Sequence, residues 1–162
     1  RVGLQMQLKK DLQNLKYFGK GPFENYIDRQ AAAQVGVYQS TVEQQYEPYL
    51  SAQENGNREA IRRAIFYNET GKGLLVTGFP QYSMTAIPFS PEELTRTKRG
   101  DLHPYELTNT GAISLCLDHL QMGLGGVDSW LSFPLEKYRI YPQEFEFSFG
   151  LQGCSLDDFY KF

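Results

Sequence analysis

The chain has 162 residues, enough for one domain with a real core. Its 16 basic and 19 acidic residues give a formal net charge of −3 with no basic stripe, which argues against a nucleic-acid partner. No apolar stretch reaches the roughly 18–20 residues of a membrane-spanning helix, so no membrane partner is expected.

In chain order, Val2, Leu4, Met6 and Leu8 alternate with Gly3, Gln5, Gln7 and Lys9, the period-two pattern of a half-buried strand. A chain that enters a strand at Arg1 is expected to be a segment of a longer protein. Ile65-Phe66-Tyr67 and Leu74-Leu75-Val76-Thr77 flank Asn68-Glu69-Thr70-Gly71-Lys72-Gly73, which predicts a hairpin with a glycine-bearing turn. Ser90, Pro91 and Glu93 form a capping box with proline at the first helical position, predicting one short helix near 90–99 that ends before Gly100. Ile113, Leu115 and Leu117 mark another strand, continued through Asp118 and His119, and Phe145, Phe147, Phe149 and Leu151 a further one. Many short strands separated by turns predict an all-β fold, an antiparallel β-sandwich. No internal repeat or linker interrupts it, so residues 1–162 are expected to form a single domain.

Two cysteines occur, Cys116 and Cys154, neither in a CxxC pair nor near a histidine at ligand spacing; Cys116, in an apolar run, is expected to be a buried, inert thiol. No metal site is indicated by spacing. Asp118 and Asp128 lack the alternating carboxylates of a calcium loop and are assigned to turn or loop hydrogen bonding. Arg96, Lys98, Arg99 and Asp101 are assigned to a solvated face.

Three turn-rich segments interrupt the strand pattern: Phe18-Gly-Lys-Gly-Pro-Phe-Glu-Asn-Tyr-Ile-Asp-Arg29, Gln53-Glu-Asn-Gly-Asn-Arg58, and Met122-Gly-Leu-Gly-Gly-Val-Asp-Ser-Trp130. Loops of this kind carry function more often than strands do. Trp130, the sole tryptophan, ends a polar, glycine-rich stretch, a placement suited to stacking on a sugar face. Glu24, Asp28 and Glu54 are read as structural, satisfying loop backbone groups together with Asn25, Asn55 and Asn57 and pairing with Arg29 or Arg58. No catalytic residue is assigned within the chain.

Taken in this order, the segments resemble the C-terminal, small-chain region of the large bacterial β-galactosidases of glycoside hydrolase family 2, which carry G-x-GP-x-ENY-x-DR, QENG-x-R and an MG-x-GG-x-DSW loop. The likeness runs from Arg1 to about Leu151. It departs at Ala52, where proline is usual, and at Leu131-Ser132-Phe133-Pro134; residues 152–162 match no family pattern. The resemblance implies a domain that shares a galactose-mutarotase-like supersandwich and is N-terminally incomplete here. Its parent would be a retaining enzyme that hydrolyses terminal β-D-galactosides such as lactose, with its catalytic glutamates in a separate barrel domain. Trp130 would be the substrate-binding platform, chiefly on the leaving-group side. The parent is expected to use Mg²⁺ and a monovalent cation (Na⁺ or K⁺), to be a homo-oligomer, and to be bacterial, cytoplasmic rather than periplasmic. The expected partners are a β-galactoside and the remaining domains of the enzyme. Two other readings stay open: a stand-alone carbohydrate-binding module built on Trp130, and a mutarotase-like sugar epimerase using His103 or His119 as general acid.

Overall fold

The computed structural model describes residues 1–95, 102–125, 130 and 132–161. Its strands are β1 (Val2–Leu8), β2 (Asn14–Gly21), β3 (Gln34–Thr41), β4 (Arg58–Tyr67), β5 (Lys72–Ile87), β6 (Ile113–Leu120) and β7 (Ser148–Ser155). Two one-turn helices, α1 (Val42–Gln45) and α2 (Pro91–Leu94), complete the regular elements along with three short 3-10 turns. All strand pairs are antiparallel, in the order β1-β6-β5-β4-β2-β3, with β7 attached to β5. The all-β sandwich class predicted from the strand pattern is the class observed.

The 16-residue strand β5 organises the sheet. Along one edge it pairs with β4 over Gly73–Thr77 and again at Tyr82 and Met84; along the other its first half, Lys72–Phe79, carries β7, and its second half, Ser83–Ile87, carries β6. Opposite that switch, β4 shifts register between Arg58 and Arg63, where Ala60 takes a φ of 56°. An irregularity of this type bends the strand and raises its twist. The coiling brings one face of the sheet around on itself. Met6 and Leu8 of β1, at one edge, and Tyr38 of β3, at the other, pack on the same core of Leu15, Tyr17, Ile61, Phe66, Met84 and Leu115.

Local chemistry explains the connections. In the β4–β5 hairpin, Asn68 Oδ1 accepts from the amides of Thr70 and Lys72, and Gly71 takes a φ of 76° that a side chain would resist. Ser90 and Glu93 form the capping box predicted for α2; its C-cap is Thr95, and the rest of the expected helix to 99 lies outside the described residues, as do Arg96, Lys98, Arg99 and Asp101. Thr41 and Gln44 make the same box at α1.

The strand expected over Phe145–Leu151 starts later and runs further, from Ser148 to Ser155. The β5–β7 ladder ends at Phe79↔Ser148; the next residue of β5 is Pro80, which has no amide to donate, and beyond it that edge belongs to β6. Phe145 and Phe147 instead pack against His119, Phe147 stacked at 5.4 Å between centroids. The tail that matched no family pattern has a clear physical role. Ser155 and Asp158 cap a 3-10 turn, Leu156–Tyr160, which buries Phe159 against Ile65 and Leu75 on the outer face of the sheet.

Candidate functional site

Antiparallel register gathers the three turn-rich segments at one end of the sheet. The first leaves β2, the second enters β4, and the third leaves β6. Because β2 and β4 pair antiparallel, the exit from one lies beside the entrance to the other. The pairs Arg58↔Met84 and Ser83↔Asp118 then set the start of β4 and the end of β6 at neighbouring levels of β5.

The first two segments interlock through buried amides. Asn25 donates its backbone N–H to the Asn57 carbonyl at 2.8 Å, and its Oδ1 accepts from the Glu59 amide at 2.9 Å. Asn57 Nδ2 donates to the Asn25 carbonyl at 2.8 Å and to Glu59 Oε1 at 2.7 Å. Ser83 supplies the other Glu59 oxygen at 2.9 Å. Burial raises the pKa of Glu59, and the bonds from Ser83 and Asn57 oppose that shift.

Glu24 is buried and accepts from Arg29 Nη1 at 2.6 Å, from the Gly56 amide at 2.9 Å, and from the hydroxyls of Tyr49 and Tyr26. Its oxygens are fully engaged, as the structural reading of this carboxylate requires. Burial, and after it Glu24, keep both tyrosine hydroxyls protonated. Of the two arginines expected as carboxylate partners, Arg29 takes that role with Glu24, while Arg58, fully buried, donates Nη1 to the carbonyls of Gly56 and Asn57. Glu54 pairs with Arg1 at 2.8 Å. Arg1 Nε also lies 3.3 Å from Asp118, which sits within β6 and not in the turn assigned to it. Asp128 is outside the described residues. Burial pushes Asp118 up to about 6, against the pull of Arg1.

The third segment is tied to the first by Asp28. Tyr26 and Arg29 exchange backbone hydrogen bonds of 3.0 and 2.9 Å, so Ile27 and Asp28 form the tip of a tight turn. From that tip Asp28 Oδ1 accepts from the Leu124 amide at 3.0 Å and Oδ2 from the Gly125 amide at 2.9 Å. Gly123 donates to the Tyr138 carbonyl at 3.0 Å, and a Cβ on it would lie 2.5 Å from Asp28 Oδ2, so only glycine fits against the carboxylate. Gly125, with a φ of 81°, passes so close to Ser132 that a Cβ would lie 2.5 Å from the Ser132 carbonyl oxygen. Positions 125 and 132 are therefore adjacent in space. Trp130, between them in sequence, has 85% of its surface exposed.

Beside this loop lies a hollow of about 160 Å³ lined by Ile27, Glu59, Ser83, His119 and Gln121, among others. His103 is elsewhere, capping a 3-10 turn, with Nδ1 2.9 Å from the Leu50 carbonyl and its ring stacked on Tyr105. Cys116 is buried and, like Cys154, free; burial pushes its thiol up to about 11, as an inert core thiol requires. Among the described residues, no group of three or more His, Cys, Asp or Glu side chains is placed to hold a metal ion.

Sequence reasoning singled out Trp130 but gave Asp28 no link to it. The signal was available only as a pattern, a carboxylate two residues after Tyr26 and three glycines upstream of Trp130, without the distance that joins them.

The family described as "Beta galactosidase small chain" matches residues 1–151. A β-galactosidase of Priestia megaterium is 34% identical over 140 residues, 86% of this chain and 13% of its own length. One from Oenococcus oeni is 33% identical over 158 residues, covering 97% of this chain and 14% of its own. The β-galactosidase BgaC of Bifidobacterium adolescentis is 36% identical over 141 residues, 85% of this chain and 13% of its own. This chain thus spans about one-seventh of the length of these relatives, and it belongs to the β-galactosidase small-chain family.

Proposed function

We propose that this chain is the small-chain part of a retaining β-galactosidase that hydrolyses terminal β-D-galactosides such as lactose, and that it supplies architecture and one sugar-stacking side chain, Trp130. The exposure of Trp130 on a loop whose feet are fixed by hydrogen bonds carries the reading. An indole face exposed in this way offers a large apolar area for the C–H surface of a sugar. Its contact is with the leaving-group sugar, which departs first.

Retaining hydrolysis needs two carboxyl groups about 5–5.5 Å apart, one nucleophile and one acid that later acts as base. Glu24 is saturated by four donors, Glu54 is paired with Arg1, and Asp28 holds two backbone amides. The catalytic pair is accordingly assigned to the remainder of the enzyme, and the isolated chain is inactive. Among the described residues no group of three or more His, Cys, Asp or Glu side chains is placed to hold the Mg²⁺ expected of the parent. The test is twofold. The purified chain should leave a chromogenic β-galactoside intact while glucose or lactose perturbs the fluorescence of its only tryptophan. Turnover copurifying with the chain would overturn the assignment of catalysis elsewhere.

One observation favours a second reading. His119 and the buried carboxylate of Glu59 line the same hollow, a pairing of the kind an epimerase uses as acid and base. Mutarotation of galactose by the chain, lost in His119→Ala, would establish it.

A further inference from the structure

We propose that Asp28 is a positioning residue for Trp130: its carboxylate clamps the foot of the loop and so fixes where the indole stands. The inference rests on reading Trp130 as the sugar platform and adds the group that aims it. An ionised carboxylate only accepts hydrogen bonds, and both oxygens of Asp28 are used in this way, on the consecutive amides of Leu124 and Gly125 at 3.0 and 2.9 Å. Two adjacent amides converging on one anion form a nest, and charge-assisted bonds of this kind are about twice as strong as neutral ones.

The clamp is rigid from below. Tyr26, fully buried, closes the two-residue turn that presents Asp28, and Arg29, at the other end of that turn, is pinned to buried Glu24. Glu24 also holds the Gly56 amide, so the first and second segments together brace the carboxylate. Above, the described residues that flank the loop are also held. Gly123 is held by the Tyr138 carbonyl, Gly125 touches Ser132, and Arg139 Nε donates to the Pro134 carbonyl at 2.7 Å. Trp130 lies within residues 126–131, between the two feet. Leu124 and Gly125, the residues that Asp28 holds, precede Trp130 closely in sequence. Such preorganisation is what lets a side chain contribute to binding without an ordering cost at each encounter.

The test uses the 162-residue chain, in which Trp130 is the sole tryptophan and reports its own mobility. Asp28→Asn keeps the size of the side chain but turns an NH₂ group toward one of the two amides, so one bond is replaced by two donors facing each other. We expect amide hydrogen exchange at Leu124 and Gly125 to rise about 10- to 100-fold, the loss of one to two charge-assisted bonds. Trp130 fluorescence anisotropy should fall, and the dissociation constant for glucose should rise several-fold, while exchange at core positions such as Phe66 and Val76 is unchanged. Gly123→Ala, which pushes a methyl group against the same carboxylate, should reproduce these effects and serves where Asp28→Asn does not fold. Unchanged exchange at Leu124 and Gly125 would refute the clamp. Faster exchange with unaltered Trp130 anisotropy would show that Asp28 holds the loop foot without positioning the indole, and the proposal would fall. The two readings fail separately: a wild-type chain whose Trp130 ignores glucose overturns the platform, whereas the exchange and anisotropy data judge the clamp alone.

Discussion

Removing the side chain of Asn25 tests the interlock that brings the turn-rich segments together. In Asn25→Ala the backbone bonds to Asn57 survive, but three side-chain bonds vanish: the Glu59 amide loses its acceptor, and the carbonyls of Phe23 and Lys20 lose donors at 3.0 and 3.3 Å. The Glu59 amide is buried, and an orphaned buried donor costs about 1–3 kcal/mol; the two carbonyls add roughly 1 kcal/mol together, since each has a second lone pair. The expected loss is about 2–4 kcal/mol, a large share of the roughly 5–15 kcal/mol that holds a domain folded. Urea unfolding followed by far-ultraviolet circular dichroism should show it as a lower midpoint at unchanged m-value, with the melting temperature down by roughly 5–15 °C. Asn25→Asp sharpens the test. It retains the acceptor for the Glu59 amide but sets a second carboxylate oxygen against the Phe23 carbonyl. The introduced carboxyl is thus held protonated more strongly in the folded state, and the sign follows: the variant regains stability as pH falls and loses it as pH rises through that raised value. A loss below about 1 kcal/mol in Asn25→Ala, or a pH-independent Asn25→Asp, would refute the interlock as an energetic feature.

Two further predictions concern the core. Phe159→Ala should cost about 3–5 kcal/mol because the ring is fully buried between Ile65 and Leu75; a change under about 1 kcal/mol would mean that the C-terminal turn is dispensable. Asp118, raised from 3.8 to about 6 by burial, binds its proton more tightly when folded; its contribution is fully favourable below about pH 4 and is lost as pH rises through 6. Asp118→Asn should therefore flatten the stability profile across that window and gain roughly 1–3 kcal/mol on wild type at pH 7 relative to pH 4, and parallel profiles would contradict this.

Much of this molecule was legible in its sequence where a local rule governs. Period-two alternation located β1 and β6, the Asn68–Gly73 stretch located a hairpin, and Ser90-Pro91-Glu93 located the start of a helix. The same capping rule reads Thr41 and Gln44 as the start of α1, which the sequence reading passed over. Long-range geometry set the limits. The edge of β5 passes from β7 to β6 at Pro80, and that handover, invisible from alternation alone, decided where β7 begins. Asp118 lies in an apolar run, and only its 3.3 Å approach to Arg1 shows it to be half of an ion pair. Within the site, motif order identified the segments and singled out Trp130. Neighbours in sequence suggested Asp28 with Arg29, whereas the fold gives Arg29 to Glu24 and Asp28 to the loop that bears Trp130.

The central claim is that Trp130 serves a sugar and not the core. In the intact β-galactosidase proposed for this chain, Trp130→Ala should leave the melting temperature nearly unchanged, because the side chain is 85% exposed, while weakening inhibition by glucose-like acceptors about 5- to 30-fold, the loss of about 1–2 kcal/mol of stacking. A marked drop in melting temperature with unaltered inhibitor affinities would contradict it.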